Sequence, residues 1–548
     1  MRAMRATKMT KSTSIAKLFT ASLFIAAAAH AAVPGITGPT FNLTAQTAFL
    51  NQPDGGSVYS WGYGCNGAPT GFLPTAITNA SCSSMQVPGP TLIVTEGQTV
   101  TVNLANGLPA AAGNTSILFP GFVVTATGGV QGLLTQEAAP AGTVTYTFVA
   151  NSPGTHAYYS GTQGDLQVEM GLYGAVIVLP STPQAVCTAG LPATAPGNNA
   201  IAKQFWGEAD FRLATAAYDN PKTCYDREYL CQWAEMDANI HRQALAQVTA
   251  KVGCTAGTAG CSLDVPTEPY HPAYFLINGR SMPDLMDPNF AIEYPHQPYN
   301  GNPHMHPGEM TLIRAIGQGR LQHPFHEHAN HVRILGKDGN MILAQNGTDL
   351  AGILMFNTDT TPGEAFDGIF YFTGRGLNWD AYAHNPASVD PNAKLTCNAD
   401  ANGYNTGAPK AINYFEWCQD HNKPLEAAPI GDVAGGGPVT LPNPNIFTNG
   451  AWYGGTPYLG PDATLRGGGN QACTNPTGMT TGPTGNAASP CSTLQPANIQ
   501  ADPAAERGWA YMWHSHNERE ITTNNVFPGG MLMMMLVDSR EFVIDESK

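Results

Sequence analysis

Short runs in which apolar and polar residues alternate recur along this chain, separated by turn-forming glycine and proline. TLIVTEGQTVTVNL (91–104), GTVTYTFVA (142–150), YGAVIVLP (173–180), MTLIRAIG (310–317), HVRILG (331–336) and GIFYFTG (368–374) carry the β-branched and aromatic residues of strands. Many short strands at this spacing predict β-sandwiches. One segment breaks the pattern. DANIHRQALAQVTAKV (237–252) has helical spacing, with Asp237 placed to cap its start.

The pattern also repeats at long range. VTEGQTVTV in the first half has a counterpart in GEMTLIR (308–314). GTHAYYSG (154–161) followed by MGLYGAVIVLP matches GWAYMWHSH (508–516) followed by GGMLMMMLV. We therefore expect an all-β protein of two related sandwiches, at 36–181 and 202–540, joined by a linker over 182–201. Residues from about 380 to 505, rich in Gly, Pro and Asn, read as a long loop insertion in the second sandwich. A stretch of that length suggests a lid, an interaction surface or a small third domain.

Composition narrows the setting. MRAMRATKMTKSTSIAK places Arg2, Arg5, Lys8, Lys11 and Lys17 ahead of the apolar run LFTASLFIAAAA, and Ala29-His30-Ala31 follows. That is the form of a signal peptide over 1–31, so export to a periplasmic or extracellular space is expected. That apolar run is too short to span a bilayer, and no other run is long enough. The formal charge of −15 disfavours nucleic acid and anionic lipid as partners. Eleven cysteines in an exported chain point to disulfides. Neighbours in sequence are Cys65/Cys82, Cys224/Cys231, Cys254/Cys261, Cys397/Cys418 and Cys473/Cys491, with Cys187 left over, and spacing alone leaves the connectivity open. No cysteine lies beside the histidine motifs described next.

Histidines cluster in NPHMHPGE (His304, His306), HPFHEHANH (His323, His326, His328, His331) and WHSHNERE (His514, His516). In an extended strand residues i and i+2 share a face, so each HxH pair can present two imidazoles to one metal. His326, His328, His514 and His516 on adjacent strands would form a nitrogen-rich pocket suited to copper or zinc. His304 and His306 lie beside Pro and Gly and read equally well as a loop ligand pair or as surface residues. Met531, Met533 and Met535 share one strand face and read as core, with a soft Cu(I) site as the alternative. No nucleophile elbow or phosphate loop is present.

HPFHEHANH and WHSHNERE…GGM resemble the third and fourth copper motifs of the multicopper oxidases. FLINGRSMPD, GEMTLIRAIGQG and VEMGLYGAVIVLP resemble the scaffold of that family. The resemblance implies two cupredoxin-like Greek-key domains and copper as cofactor. It makes His323 a type 1 ligand, His326 a type 2 ligand, His328, His514 and His516 type 3 ligands, and Met531 the axial methionine. It also exposes losses. Ser515 stands at the cysteine position and Glu520 at the second type 1 histidine. Leu118 and Pro120 in SILFPG, with Tyr159 and Gly161 in AYYSG, stand at four first-domain ligands.

A serine hydroxyl cannot replace the thiolate of a blue site. The expectation is thus an exported copper-binding protein with a degenerate site, either a copper-dependent oxidoreductase acting on a small molecule or metal ion, or a non-catalytic metal-binding or scaffold protein. His156, Tyr158, Tyr159, Glu518 and Glu520 are the further groups expected to assist. A homo-oligomer or surface assembly is the partner arrangement the long insertion suggests.

Overall fold

The computed structural model describes residues 32–182, 184, 187, 209–372, 397–401, 403–407, 417–418, 455–458, 508–538 and 544–547. The proposed signal peptide, most of the linker, most of the insertion, and the pair Cys473/Cys491 lie outside these residues.

Alternation drives the first sandwich. In Thr99–Asn106, Val100, Val102 and Leu104 are buried while the intervening residues face outward. Thr143–Val149 pairs with it antiparallel and buries Val144, Tyr146 and Phe148 on the same side. These two strands form a five-stranded sheet with Ser57–Cys65, Thr40–Asn51 and Thr125–Gly128. The facing sheet runs in the order Gly154–Tyr159, Tyr173–Leu179, Leu92–Thr95, Gly35–Thr37, Phe72–Leu73. Leu92–Thr95 lies parallel to both its neighbours, which requires the chain to cross between sheets, as a Greek key does.

The second sandwich repeats the plan. One sheet runs Tyr274–Ile277, Arg227–Met236, Met310–Gly317, Ala365–Tyr371, Val332–Lys337, Asn340–Met341, with Leu354–Met355 also on Val332–Lys337. The other runs His304–Met305, Leu532–Asp538, Gly508–Ser515, His323–Glu327, Asn357–Thr360, and Gly455–Tyr458 joins it beside Gly508–Ser515. Between the sheets lies a core that includes Trp233, Phe325, Phe370, Trp513, Met531, Met533 and Met535. The three methionines are core residues, as their alternation predicts.

Arg227–Met236 and Met310–Gly317 are buried along their whole length, unlike the first-domain strands. Their outer faces meet the first sandwich. Leu230, Ile316 and Ala365 pack on Val33, Ala157 and Ile177, and Ala234, Met236 and Leu276 pack on Leu50, Val87 and Tyr173. Arg314 adds a buried polar clamp, paired with Glu228 at 2.9 Å and Asp367 at 3.3 Å, while the Asp367 carboxylate accepts from the Thr155 hydroxyl at 2.6 Å. The helix Ala238–Ala250 begins as expected, with the Asp237 carboxylate accepting from the Asn239 N–H. Its buried face, Ile240 and Ala244, belongs to the core of the first sandwich although the helix follows the opening strand of the second.

The cysteine pairing differs from the expectation at one point. Cys65–Cys82, Cys254–Cys261 and Cys397–Cys418 are bonded, but Cys224 is joined to Cys187. Cys231 is a free, buried thiol, because the alternation of its strand points it between Tyr229 and Trp233 into the second core. Among the described residues no helix is long and apolar enough to cross a membrane.

Candidate metal centre

Register decides which histidines meet. His323–Glu327 pairs antiparallel with Gly508–Ser515 so that His326 lies opposite His514 and Phe325 opposite Ser515. Even-numbered positions of these strands therefore share the face turned away from the core, where His326, His328, His514 and His516 gather. Ring centroids of His326 lie 4.8 Å from His328, 5.3 Å from His514 and 4.8 Å from His516. The ligand atoms of His326, His328 and His514 all fall within 4.8 Å of one another. His516 stands at the rim, its side chain 54% exposed, with the exposed Glu518 carboxylate 3.9 Å away.

Hydrogen bonds aim these rings. His326 Nδ1 is 2.7 Å from the Phe356 carbonyl, and His514 Nδ1 is 2.7 Å from the Ser515 carbonyl. A carbonyl can only accept, so each Nδ1 carries the proton and each Nε2 is left with its lone pair. His328 Nε2 lies 3.1 Å from His514 Nε2. Two nitrogens bound to a tetrahedral ion at about 2.0–2.1 Å are roughly 3.3 Å apart, so this spacing fits a shared cation. Burial and the neighbouring imidazoles lower the pKa of His326 to about 4, and burial also lowers that of His514. Neutral imidazoles are the form that binds metal. The donor set is nitrogen-only, suited to copper or zinc.

Odd-numbered positions face the core, and there the arrangement is different. His323 is fully buried, with Nδ1 2.8 Å from Glu520 Oε2 and Nε2 2.8 Å from Glu235 Oε2. Although burial opposes charge, the two carboxylates outweigh it and raise the His323 pKa to about 9. His323 is then an imidazolium with both nitrogens committed as donors. The Ser515 hydroxyl donates to the same Glu520 oxygen at 2.5 Å, and Asn517 Nδ2 donates to Oε1 at 2.9 Å. Glu235 accepts from the Tyr270 hydroxyl at 2.9 Å and the Arg320 and Leu321 amides. His323, Ser515, Glu520 and Glu235 thus form one hydrogen-bonded ion cluster. The structure sets His323 and Met531 apart from the outer imidazole group: they lie on the core side of the sheet, and Met531 packs in the apolar core.

The other candidates are also elsewhere. His304 and His306 are buried, not surface residues, and the His306 amide donates to Glu309. His156 is held by the Ser152 carbonyl and packs at a tilt against Phe122. Tyr158 is buried in the first core and donates to the Pro90 carbonyl. The sequence reading missed Phe356, which orients His326, and Glu235 and Tyr270, which complete the cluster around His323. None lies in a histidine motif, and only long-range pairing brings them in.

Sequence similarity to known proteins covers short stretches of this chain. Residues 75–183 match the family described as multicopper oxidase. A 98-residue stretch is 36% identical to the multicopper oxidase MCE of Talaromyces pinophilus, covering 17% of this chain and 15% of that protein. Another, of 119 residues, is 33% identical to copper resistance protein A of Pseudomonas syringae pv. tomato, covering 21% and 19%. The crystal structure of a blue copper oxidase from Nitrosomonas europaea aligns over 91% of this chain and 85% of its own at 14% identity, with a TM-score of 0.42. The matches span less than a fifth of either curated relative. The stretch 75–183 in the first sandwich is thus similar to multicopper oxidases.

Proposed function

We propose that this is an exported copper-binding protein of the multicopper oxidase family, holding copper through His326, His328 and His514 on the outer face of the second sandwich, with His516 as a rim ligand. The observation that carries this reading is the convergence of three imidazoles, with His326 and His514 aimed by their Nδ1 bonds and His328 Nε2 3.1 Å from His514 Nε2. Bound there, copper supplies one-electron chemistry between Cu(II) and Cu(I). The chain itself contributes orientation through the Phe356 and Ser515 carbonyls, and an open side at the exposed His516. Export is supported by the N-terminal sequence and by the four disulfides among the described residues.

Any activity is oxidoreductase chemistry at this reduced site, on a small molecule or metal ion reaching its open side. A conventional blue-copper relay is not part of the proposal, because Ser515 and His323 are tied into the Glu520 cluster. That same cluster favours a second reading: a non-catalytic copper-holding or scaffold protein, in which no electron path leads inward from the outer site.

The test is copper loading of the purified protein, with metal counted per chain and visible and EPR spectra recorded. The expected result is nitrogen-ligated Cu(II) without an intense blue band, lost in the double variant His326→Ala/His514→Ala. Full copper retention in that variant would overturn the placement. Turnover of a phenolic or metal-ion reductant by the loaded protein separates the two readings.

A further inference from the structure

Among the described residues, four arginines are buried, and their surroundings differ. Arg227 pairs with Glu309 and Glu546, and Arg314 with Glu228 and Asp367. Arg280 lacks such a carboxylate but donates to the carbonyls of Gln297, Asp287 and Pro288, leaving only Nη2 without an acceptor. Arg333 is the outlier. It is 4% exposed, and the Gly352 carbonyl, which accepts from Nη1, is its one acceptor. Nε and Nη2 are both buried and meet no acceptor in the protein. Burial lowers the Arg333 pKa with no nearby carboxylate to oppose it, yet a guanidinium stays charged in proteins.

Alternation along Val332–Lys337 sets the direction of this side chain. Val332 and Ile334 enter the second core, so Arg333 belongs to the opposite face, with His331 two residues before it. Its cross-strand neighbours are Leu354 and Ile369, both apolar. The Gly352 carbonyl is held by a close approach: a Cβ there would lie 1.7 Å from the Ile334 carbonyl oxygen, so only glycine fits. With Nη1 anchored on that carbonyl, the Nε/Nη2 edge remains, and such a donor pair can grip two oxygens of one carboxylate. His331 Nδ1 is likewise buried without a partner. Burial lowers the His331 pKa, so the ring is neutral at pH 7 and can carry its proton on Nδ1. Phe356, 45% exposed, packs its ring 5.2 Å from that of His331, and Ile353 nearby is 63% exposed. Apolar surface in contact with water therefore borders the two donors.

We propose that Arg333 and His331 form a site for the carboxylate of a small organic monoacid, gripped by Arg333 Nε and Nη2 and by His331 Nδ1, with its apolar body against Leu354 and Phe356. A buried guanidinium without a counter-charge is costly to the fold, and a bound carboxylate offsets that cost. One fixed positive charge matches a monoanion. A phosphate dianion would bring a second negative charge into apolar surroundings with no second cation to meet it. The strand that carries Arg333 belongs to the other sheet from the imidazole group, and the site does not depend on metal.

The test uses the full-length protein freed of metal at pH 7, titrated with sodium propionate, propionamide and sodium phosphate at constant ionic strength. Propionate should bind with a Kd on the order of 1 mM and shift the NMR signal of the Arg333 Nε–H group. Its methyl protons should show intermolecular contacts to Leu354 and Phe356. Propionate should also raise the urea midpoint of the wild type and leave that of Arg333→Met unchanged, because only the former binds it. Arg333→Lys keeps the charge without the fork and should bind propionate about tenfold more weakly. An unmoved Nε–H signal, equal stabilisation of Arg333→Met, or propionamide or phosphate binding as tightly as propionate would overturn the proposal. The wild-type contacts and Arg333→Lys decide the matter even where Arg333→Met fails to fold. Because the titration is run without metal, its failure leaves the copper reading standing, and loss of the copper reading leaves this site standing.

Discussion

Raising the pH should unfasten the second sandwich at His323, and the size of the effect follows from the geometry. The imidazolium is clasped between Glu235 and Glu520 with no access to water, and its pKa rises from 6.5 to about 9. A raised folded-state pKa means that the folded protein holds the proton more tightly than the unfolded chain. The stabilisation is therefore complete below about pH 6.5, declines as pH rises, and is gone above about pH 9. At ~1.4 kcal/mol per tenfold change in proton affinity, it amounts to about 3 kcal/mol.

The perturbation is His323→Gln, which keeps a polar side chain but removes the cation between two buried carboxylates. At pH 7 the variant should be less stable by about 3–5 kcal/mol, the usual consequence of removing one member of a buried ion cluster. The gap should shrink as the pH approaches 10, where the wild type has also lost its proton. Urea unfolding midpoints, measured with disulfides intact at intervals from pH 6 to 10, give the difference directly, since other titrating groups are common to both proteins. Parallel curves, with a gap unchanged from pH 6 to 10, would show that His323 is not a buried imidazolium and refute the reasoning.

Three further outcomes are expected. Ser515→Cys should not produce an intense blue copper band, because His323 and Glu520 remain committed to one another; losing the 2.5 Å hydroxyl bond to Glu520 should instead cost about 2 kcal/mol, read by thermal melting. Glu327→Gln should stabilise the protein by about 1–3 kcal/mol at pH 8: burial raises the Glu327 pKa well above its usual value, so the folded state resists ionisation that the unfolded chain allows above pH 4.5. That gain should vanish near pH 4, and a destabilised variant at pH 8 would count against it. Replacing Cys65 and Cys82 with Ala opens a closure spanning 17 residues and should lower stability by about 3 kcal/mol, measured by urea denaturation.

Most of the fold was legible because a sandwich strand writes its inner face into every second residue. Val100, Val102 and Leu104 are one example, and Met531, Met533 and Met535 another. The same period of two separates His326 and His328 from His323, since an odd spacing puts a side chain on the other face of the sheet. What alternation cannot encode is the partner across the sheet or between domains. Glu235 reaches His323 from 88 residues away, and the Phe356 carbonyl reaches His326 from 30. Neither position carries a local mark. The Cys187–Cys224 bond escaped notice for a related reason: sequence proximity favoured Cys231, but strand direction had already turned that thiol inward.

The helix Ala238–Ala250 bears on how this chain could be divided. It is encoded after the linker, yet Ile240 and Ala244 fill the core of the first sandwich, and His241 is hydrogen-bonded to the backbone of Tyr59 and Glu169. A cut at the linker would leave the N-terminal half with an open apolar slot and the C-terminal half with an unsupported amphipathic helix. The boundary written in the chain and the boundary of the folded units are therefore different lines. A gene rearrangement that respected only the first would separate a sandwich from a piece of its own interior, which binds the two halves to a shared fate as a single inherited unit.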